Sequence, residues 1–258
     1  MERIPARVVR IGAIVAFLLL WETIARSGWF SSILLPPPSL VAMTGWKLLT
    51  GGELLKHVWT SLGRVLTGFG IAAVIAIPLG IVAGSTPLLF NVVDPLIELF
   101  RPIPVLALLP LAILWFGIGE ASKIFIITYA AFFPIFINTV AGVRYSDPVL
   151  IQVASTLGAS RAQIFTRVVL MCALPNLAVG IRLGLGFAFL ALVAAELIAS
   201  TAGLGYLIMD SRLTFQTDRG MVGIVALGVL GFVINDILVR LERWALAWKQ
   251  DIHAADVR

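Results

Sequence analysis

Long apolar blocks constrain this chain more than any other feature. Six can be placed, at roughly Val8–Ile24, Leu62–Ala83, Pro104–Ile118, Ile124–Val143, Leu177–Ile198 and Met221–Leu241. Their lengths cluster near the ~20 residues an α-helix needs to cross the hydrocarbon layer, and they lack the short alternating pattern of a membrane β-barrel. Composition agrees, with 60% hydrophobic and 13% charged residues and a mean hydropathy of +1.02. Soluble domains run at about 45 to 50% apolar and about 25% charged. The expected class is therefore an all-α integral membrane protein with six transmembrane helices.

An isoelectric point near 9.9 raises the question of nucleic acid, but the basic residues stand singly or in small groups at the ends of apolar blocks and form no stripe. They read as topology signals. With the N-terminus inside, the inner ends hold Arg3, Arg7, Arg10, Arg101, Arg144, Arg161, Arg167, Arg240, Arg243, Lys249 and Arg258. The outer ends hold fewer, namely Arg26, Lys47, Lys56, Arg64, Lys123, Arg212 and Arg219. The bias places both termini in the cytoplasm. The basic stretch before Ile11 resembles a signal peptide, but no small-residue cleavage site comes after it and further spans come later, so an uncleaved first helix is expected. Cys172, the single cysteine, excludes an internal disulfide and forms no cluster with His57 or His253. No metal, cofactor or catalytic site is expected.

Three parts are predicted. Residues 1–60 hold the first span and an external connector stiffened by Pro36, Pro37 and Pro38, with a surface helix from Ser39. Residues 61–245 form the transmembrane core, and 246–258 a cytoplasmic tail. Within the spans, Gly68 with Ala72, Gly80 with Gly84, and Gly180 with Gly184 and Ala188 have the small-xxx-small spacing that lets helices approach closely in lipid. Pro78 and Pro134 interrupt helical hydrogen bonding and are expected to kink their spans.

Between the fourth and fifth blocks, residues 145–175 carry a helical pattern of their own. Asp147 and Pro148 make a helix start, with a carboxylate at the N-cap and proline at the first helical position. Val149, Leu150, Val153, Ala154 and Leu157 form one apolar stripe, and Gly158 can take the left-handed conformation that ends a helix. Ser160 with Gln163 then forms a capping box that starts a second helix. Two roles fit such a pair. It seats in a partner's groove, or it lies as an interfacial hairpin on the membrane.

This segment resembles the EAA loop of ABC importer permeases, where Glu-Ala-Ala precedes a glycine. The corresponding places are held by Gln152, Val153, Ala154 and Gly158, and then by Val168, Leu170, Met171 and the Leu174-Pro175 pair. The glutamate, the first alanine and the later proline expected at 171 are replaced. The strings LLPPPSLV, DPLIELFRPIPVLALLPLAILWFGIGEASKI, LGASRAQIF, GIRLGLGFAFLALVAAELIAS and GLGYLIMDS are similar, in order and spacing, to the permease family for taurine, aliphatic sulfonates and nitrate. The likeness runs from about Leu35 to Arg240. FGIGE, from Phe116 to Glu120, resembles the sulfonate and taurine side.

The resemblance implies a type I ABC importer permease fold in a bacterial inner membrane. Two permease copies, most simply a homodimer, would enclose the path, with two ABC ATPase subunits beneath and a periplasmic solute-binding protein above. A two-helix coupling loop would meet the ATPase through Gln152, Val153, Ala154, Leu157, Gly158, Ala159, Ser160, Arg161 and Gln163. ATP and magnesium would belong to the ATPase. The residues agree, since the chain lacks a G-x-x-x-x-G-K-[ST] phosphate loop; Gly117 to Lys123 has no second glycine before the lysine. The chain is thus read as a transport subunit, not an enzyme.

Ionisable residues at membrane depth are functional candidates. Glu196 either faces the translocation path or makes a structural bond with an outer arginine such as Arg64 or Arg212. Arg182 and Arg101 either meet an anionic solute at the inner mouth or snorkel to lipid headgroups. Glu22 with Arg26 and Asp236 with Arg240 are spaced for surface pairs. An ion-gradient transporter is the main rival, but it calls for internal repeats and mid-membrane charges that are not evident. A non-transporting scaffold leaves the likeness across the spans unexplained.

Overall fold

The computed structural model describes residues 6–29 and 31–246. Nearly all of the predicted tail, including Lys249, His253 and Arg258, therefore lies outside the described residues, as do Arg3 and the side chains of Arg7 and Arg10. The regular elements among the described residues are helical: α1 (Ala6–Arg26), α2 (Pro38–Thr50), α3 (Glu53–Ser85), α4 (Pro87–Phe100), α5 (Val105–Phe116), α6 (Glu120–Arg144), α7 (Pro148–Thr156), α8 (Arg161–Ile164), α9 (Leu170–Ala199), α10 (Leu204–Leu213) and α11 (Thr217–Ala245).

Among the described residues four helices are long and apolar enough to cross a membrane, namely α3, α6, α11 and a continuous helix over Arg161–Ala199. They contain the second, fourth, sixth and fifth predicted blocks. Helix α1 covers the first block with 21 residues, about 31 Å at 1.5 Å per residue. The third block departs from a straight span. Helix α5 has only 12 residues, about 18 Å, and meets α4 at a bend of 96°. Pro102 and Pro104 at this bend have no N–H to continue the ladder. The freed Phe100 carbonyl instead accepts from Ile103 N at 3.2 Å and from the Tyr129 hydroxyl at 2.6 Å. If the bent pair is one span, five are present.

The described residues up to Ser61 form one compact unit with Glu196–Val229, and Leu62–Ala195 forms a second with the described residues from Leu230. In the first unit the proline run leads straight into α2, with Pro37 as the extended N-cap and Pro38 at the first position. Glu22 of α1 binds this start, accepting from Ser39 N at 3.0 Å and Ser39 Oγ at 2.7 Å, as well as from Arg26 Nε at 2.6 Å. The predicted i,i+4 pair thus also caps a neighbouring helix.

In the second unit α6 is the central helix, and small residues bring its neighbours close. A Cβ added at Gly68 would stand 2.6 Å from Ile127, one at Gly80 would stand 2.8 Å from Thr139, and one at Gly84 would stand 2.9 Å from Val143. On the other flank, Gly180 meets Asn138 and Gly184 meets Ile135 in the same way. Ala72 and Ala188 are fully buried in this core. The predicted small-residue seams are thus the α3–α6 and α9–α6 contacts. The threonine Thr128 adds a bond from its hydroxyl to the Gly68 carbonyl at 3.0 Å. Such approach replaces the hydrophobic drive that helices lack in lipid.

Candidate functional site

The loop after α6 is built by local chemistry that can be traced bond by bond. Asp147 accepts from Val149 N at 2.8 Å and caps α7, with Pro148 at its first position. At the other end, Gly158 takes φ +80°. Ala159 N bonds the Ala154 carbonyl at 3.1 Å and Gly158 N bonds the Ser155 carbonyl at 3.0 Å. These two bonds constitute a Schellman motif, which satisfies carbonyls that a helix end leaves unpaired. Two residues on, Ser160 and Gln163 form a reciprocal capping box. Ser160 N donates to Gln163 Oε1 at 2.8 Å, and Gln163 N to Ser160 Oγ at 3.3 Å.

The second helix of the loop is not the separate short element that the spacing predicts. The α-helical segment α8 runs for only 4 residues and passes through a π-helical turn, Phe165–Val169, directly into α9. Arg161–Ala199 is therefore one helix of 39 residues, with Pro175 inside it. The apolar run from Val168 to Met171 continues the helical face, and Pro175 does not stop it. The loop is one short helix, a glycine turn, and the protruding end of the fifth predicted span.

Gln152, Leu157, Gly158, Ser160, Arg161 and Gln163 are all exposed, whereas Ala154 and Ala159 are half-buried. The stripe on α7 is not absorbed by its own protein: Val149, Leu150 and Val153 stay exposed, and Leu157 is 82% exposed. Leu150, Val153 and Leu157 line a groove of about 750 Å³ with Val168, Met171 and Pro175 across from them. An exposed apolar stripe beside a groove, on a rigidly capped turn, has the form of a docking surface.

The three membrane candidates fall in three separate surroundings. Glu196 is 1% exposed. Its carboxylate lies 2.8 and 2.9 Å from Ser61 Oγ and accepts from Gly205 N at 2.8 Å. Ser61 Oγ in turn accepts from Leu204 N at 2.8 Å, and His57 Nδ1 accepts from Gly203 N at 3.0 Å. Three successive amides at the start of α10 thus find buried side-chain acceptors, and the carboxylate is placed where the helix dipole favours a negative charge. A Cβ at Gly203 would run into the carboxylate. In this geometry Glu196 holds a helix start.

Arg182 pairs with Glu242 beside an apolar cleft formed with α11. Arg101 lines a different cavity, of about 430 Å³, at the α4–α5 bend. Arg64 and Lys123, which their positions in the sequence assign to the outer ends as topology charges, are buried within the protein. Both bind Glu120 of the FGIGE string: Arg64 Nε and a terminal nitrogen each lie 2.6 Å from its carboxylate, and Lys123 Nζ lies 3.1 Å away. The sequence carries a sign of this polar interior, since His57, Ser61 and Arg64 share one face of α3 at i, i+4 and i+7. No apolar-block count registers such a stripe.

The profile of the family described as binding-protein-dependent transport system inner membrane component matches residues 76–245. The taurine transport system permease protein TauC of Escherichia coli (strain K12) is 38% identical over 94% of this chain and 90% of its own length. The putative aliphatic sulfonates transport permease protein SsuC of Bacillus subtilis (strain 168) is 40% identical over 90% of this chain and 84% of its own. The nitrate import permease protein NrtB of Synechocystis is 32% identical over 92% of this chain and 88% of its own. Among solved structures, a chain of the MetNI methionine ABC transporter, in inward-facing conformations, superposes with a TM-score of 0.65 at 22% identity, covering 74% of this chain and 95% of that one. The first likeness sets the family and the last the fold: this chain belongs to the binding-protein-dependent transport system inner membrane components, as a permease of the taurine, sulfonate and nitrate group.

Proposed function

We propose that the chain is one of two identical permease subunits of an ATP-driven importer that moves a small anionic solute across a bacterial inner membrane by alternating access. Taurine or another sulfonate is the favoured solute, ahead of nitrate or another small organic solute. The observation that carries this reading is the likeness, over nine-tenths of this chain, to permeases named for taurine and aliphatic sulfonates. In the proposed assembly six spans per subunit leave both termini cytoplasmic, two ATPases bind ATP and magnesium, and a periplasmic binding protein delivers the solute. The division into residues 1–60, a core of 61–245 and a tail of 246–258 belongs to the same proposal.

The loop geometry supports a specific coupling route. The ATPase would grip the exposed stripe of α7 and the surface from Gln152 to Gln163. Its closure on nucleotide would push the capped turn, and the continuous helix Arg161–Ala199 would carry that push into the fifth span as a lever. Glu120, Glu196 and their partners would keep helix ends in register while the spans rock.

The test is uptake of labelled taurine and hexane-1-sulfonate into vesicles holding the chain, its ATPase and its binding protein. Uptake is expected to require ATP and binding protein and to survive an ionophore. Uptake that continues without ATP and stops with the ionophore would point to the ion-gradient rival.

A further inference from the structure

The cavity at the α4–α5 bend has a composition that neither helix packing nor the coupling loop explains. Its wall includes Arg101 from the bend, Tyr129, Phe133 and Asn138 from α6, and Leu183 and Phe187 from α9. Arg101 is the one charged side chain on that wall, and among the described residues no carboxylate lies within ion-pairing distance of it. The other side-chain polar groups each make one bond to the backbone. The Tyr129 hydroxyl donates to the Phe100 carbonyl at 2.6 Å, and Asn138 Nδ2 donates to the Pro134 carbonyl at 2.8 Å. Pro102, Pro104 and Pro134, which also line the cavity, have no N–H to offer. One cationic fork thus lines a chamber that, apart from Asn138 and the Tyr129 hydroxyl, is aromatic and aliphatic. The volume, about 430 Å³, lies within the ~300 to 1,000 Å³ typical of small-molecule sites.

We infer that this cavity binds an amphiphilic anion, namely an organosulfonate whose head pairs with Arg101 and whose hydrocarbon body lies against Phe133, Leu183 and Phe187. The inference rests on the reading of the chain as a permease for small anions and narrows its solute. A guanidinium matches the oxygens of a sulfonate through paired N–H donors. No aspartate or glutamate lines the wall, so the ammonium of taurine would be desolvated there against the neutral Asn138 amide oxygen and no counter-charge, which is costly. Nitrate has no hydrocarbon body to use the apolar wall. The cavity therefore favours simple alkanesulfonates over both. The same chemistry, an anionic head on an apolar tail, is also that of an anionic lipid, and the test separates the two sources.

The permease–ATPase complex is placed in nanodiscs of phosphatidylcholine and titrated calorimetrically with hexane-1-sulfonate, taurine, nitrate and hexan-1-ol, against empty nanodiscs. Hexane-1-sulfonate is expected to bind about tenfold or more tightly than each of the others, and Arg101→Ala to weaken it by about tenfold or more, the worth of a charge-assisted bond. Arg101→Lys, which keeps the charge but loses the fork, should weaken it less. Equal affinities for hexane-1-sulfonate and taurine, or unchanged affinity in an Arg101→Ala complex that still co-purifies with its ATPase, would overturn the inference. If Arg101→Ala does not assemble, the order of affinities in the unaltered protein decides. Loss of the sulfonate signal when phosphatidylglycerol is added to the nanodiscs would assign the cavity to lipid and also overturn it. ATP-dependent uptake of sulfonates that is insensitive to Arg101→Ala refutes this inference alone, whereas absence of ATP-dependent uptake in the unaltered protein refutes the proposed function.

Discussion

Replacing Gly158 isolates the turn of the proposed coupling loop from everything around it. Its φ of +80° lies in the left-handed region, which costs an L-residue about 1 to 2 kcal/mol, with a β-branched side chain at the upper end. A Cβ built there meets nothing within 4 Å, so no steric clash is added and the cost is one of backbone conformation alone. Taking about 2 kcal/mol for valine, the native turn loses about 30-fold against opened alternatives. Asparagine, which tolerates this region, should lose only a few-fold, and alanine should fall between the two. The readouts are co-purification of the ATPase and solute-stimulated ATP hydrolysis across Gly158→Asn, Gly158→Ala and Gly158→Val. Both should fall in that order, while the thermal unfolding midpoint of the membrane part stays constant because the site is exposed. If Gly158→Val retains its ATPase and transports at the unaltered rate, the turn is not what couples the subunits. A parallel drop in thermal stability would refute the claim that the strain is local.

Gly68→Ala would set a Cβ 2.6 Å from Ile127 whereas Gly70→Ala meets nothing, so the first should lose about 1 to 3 kcal/mol by overpacking and the second should be neutral; equal unfolding midpoints in detergent would count against the α3–α6 seam. Ser61→Ala removes the acceptor of Leu204 N and a partner of Glu196, so it should cost about 1 to 3 kcal/mol and speed amide exchange at the start of α10. A slow-exchanging α10 in that variant would show the cap to be dispensable. Arg182→Met removes one member of a partly exposed pair with Glu242, worth under about 1 kcal/mol, so sulfonate transport should stay within about twofold. A large loss would place Arg182 on the path.

Much of the loop is legible in the sequence because its signals are local. Asp147, Pro148, Gly158, Ser160 and Gln163 each act on backbone within a few residues, so their spacing alone predicts the cap, the turn and the capping box that the structure contains. The continuity of Arg161–Ala199 is not legible in the same way. The block boundaries put Pro175 between the loop and the fifth span, yet in a packed bundle its missing bond does not have to end the helix. The α4–α5 bend escapes for the converse reason, since block counting registers hydrophobicity and is blind to a four-residue break.

The apolar blocks, the small-residue spacing and the capping residues determined by themselves that this chain is a helical membrane protein whose spans pack through glycine and alanine, with a two-part loop that leaves an apolar stripe uncovered. These features arise from the energetics of backbone in lipid and from contacts within a turn or two. Which charges are buried, and against whom, was decided by tertiary structure. Glu196 meets Ser61 and the start of α10, Arg64 and Lys123 meet Glu120, and Arg101 faces a chamber without an acid. Arg64 with Glu120 and Ser61 with Glu196, 56 and 135 residues apart, leave no spacing to read, because electrostatic pairing depends on distance in space and the sequence records only distance along the chain.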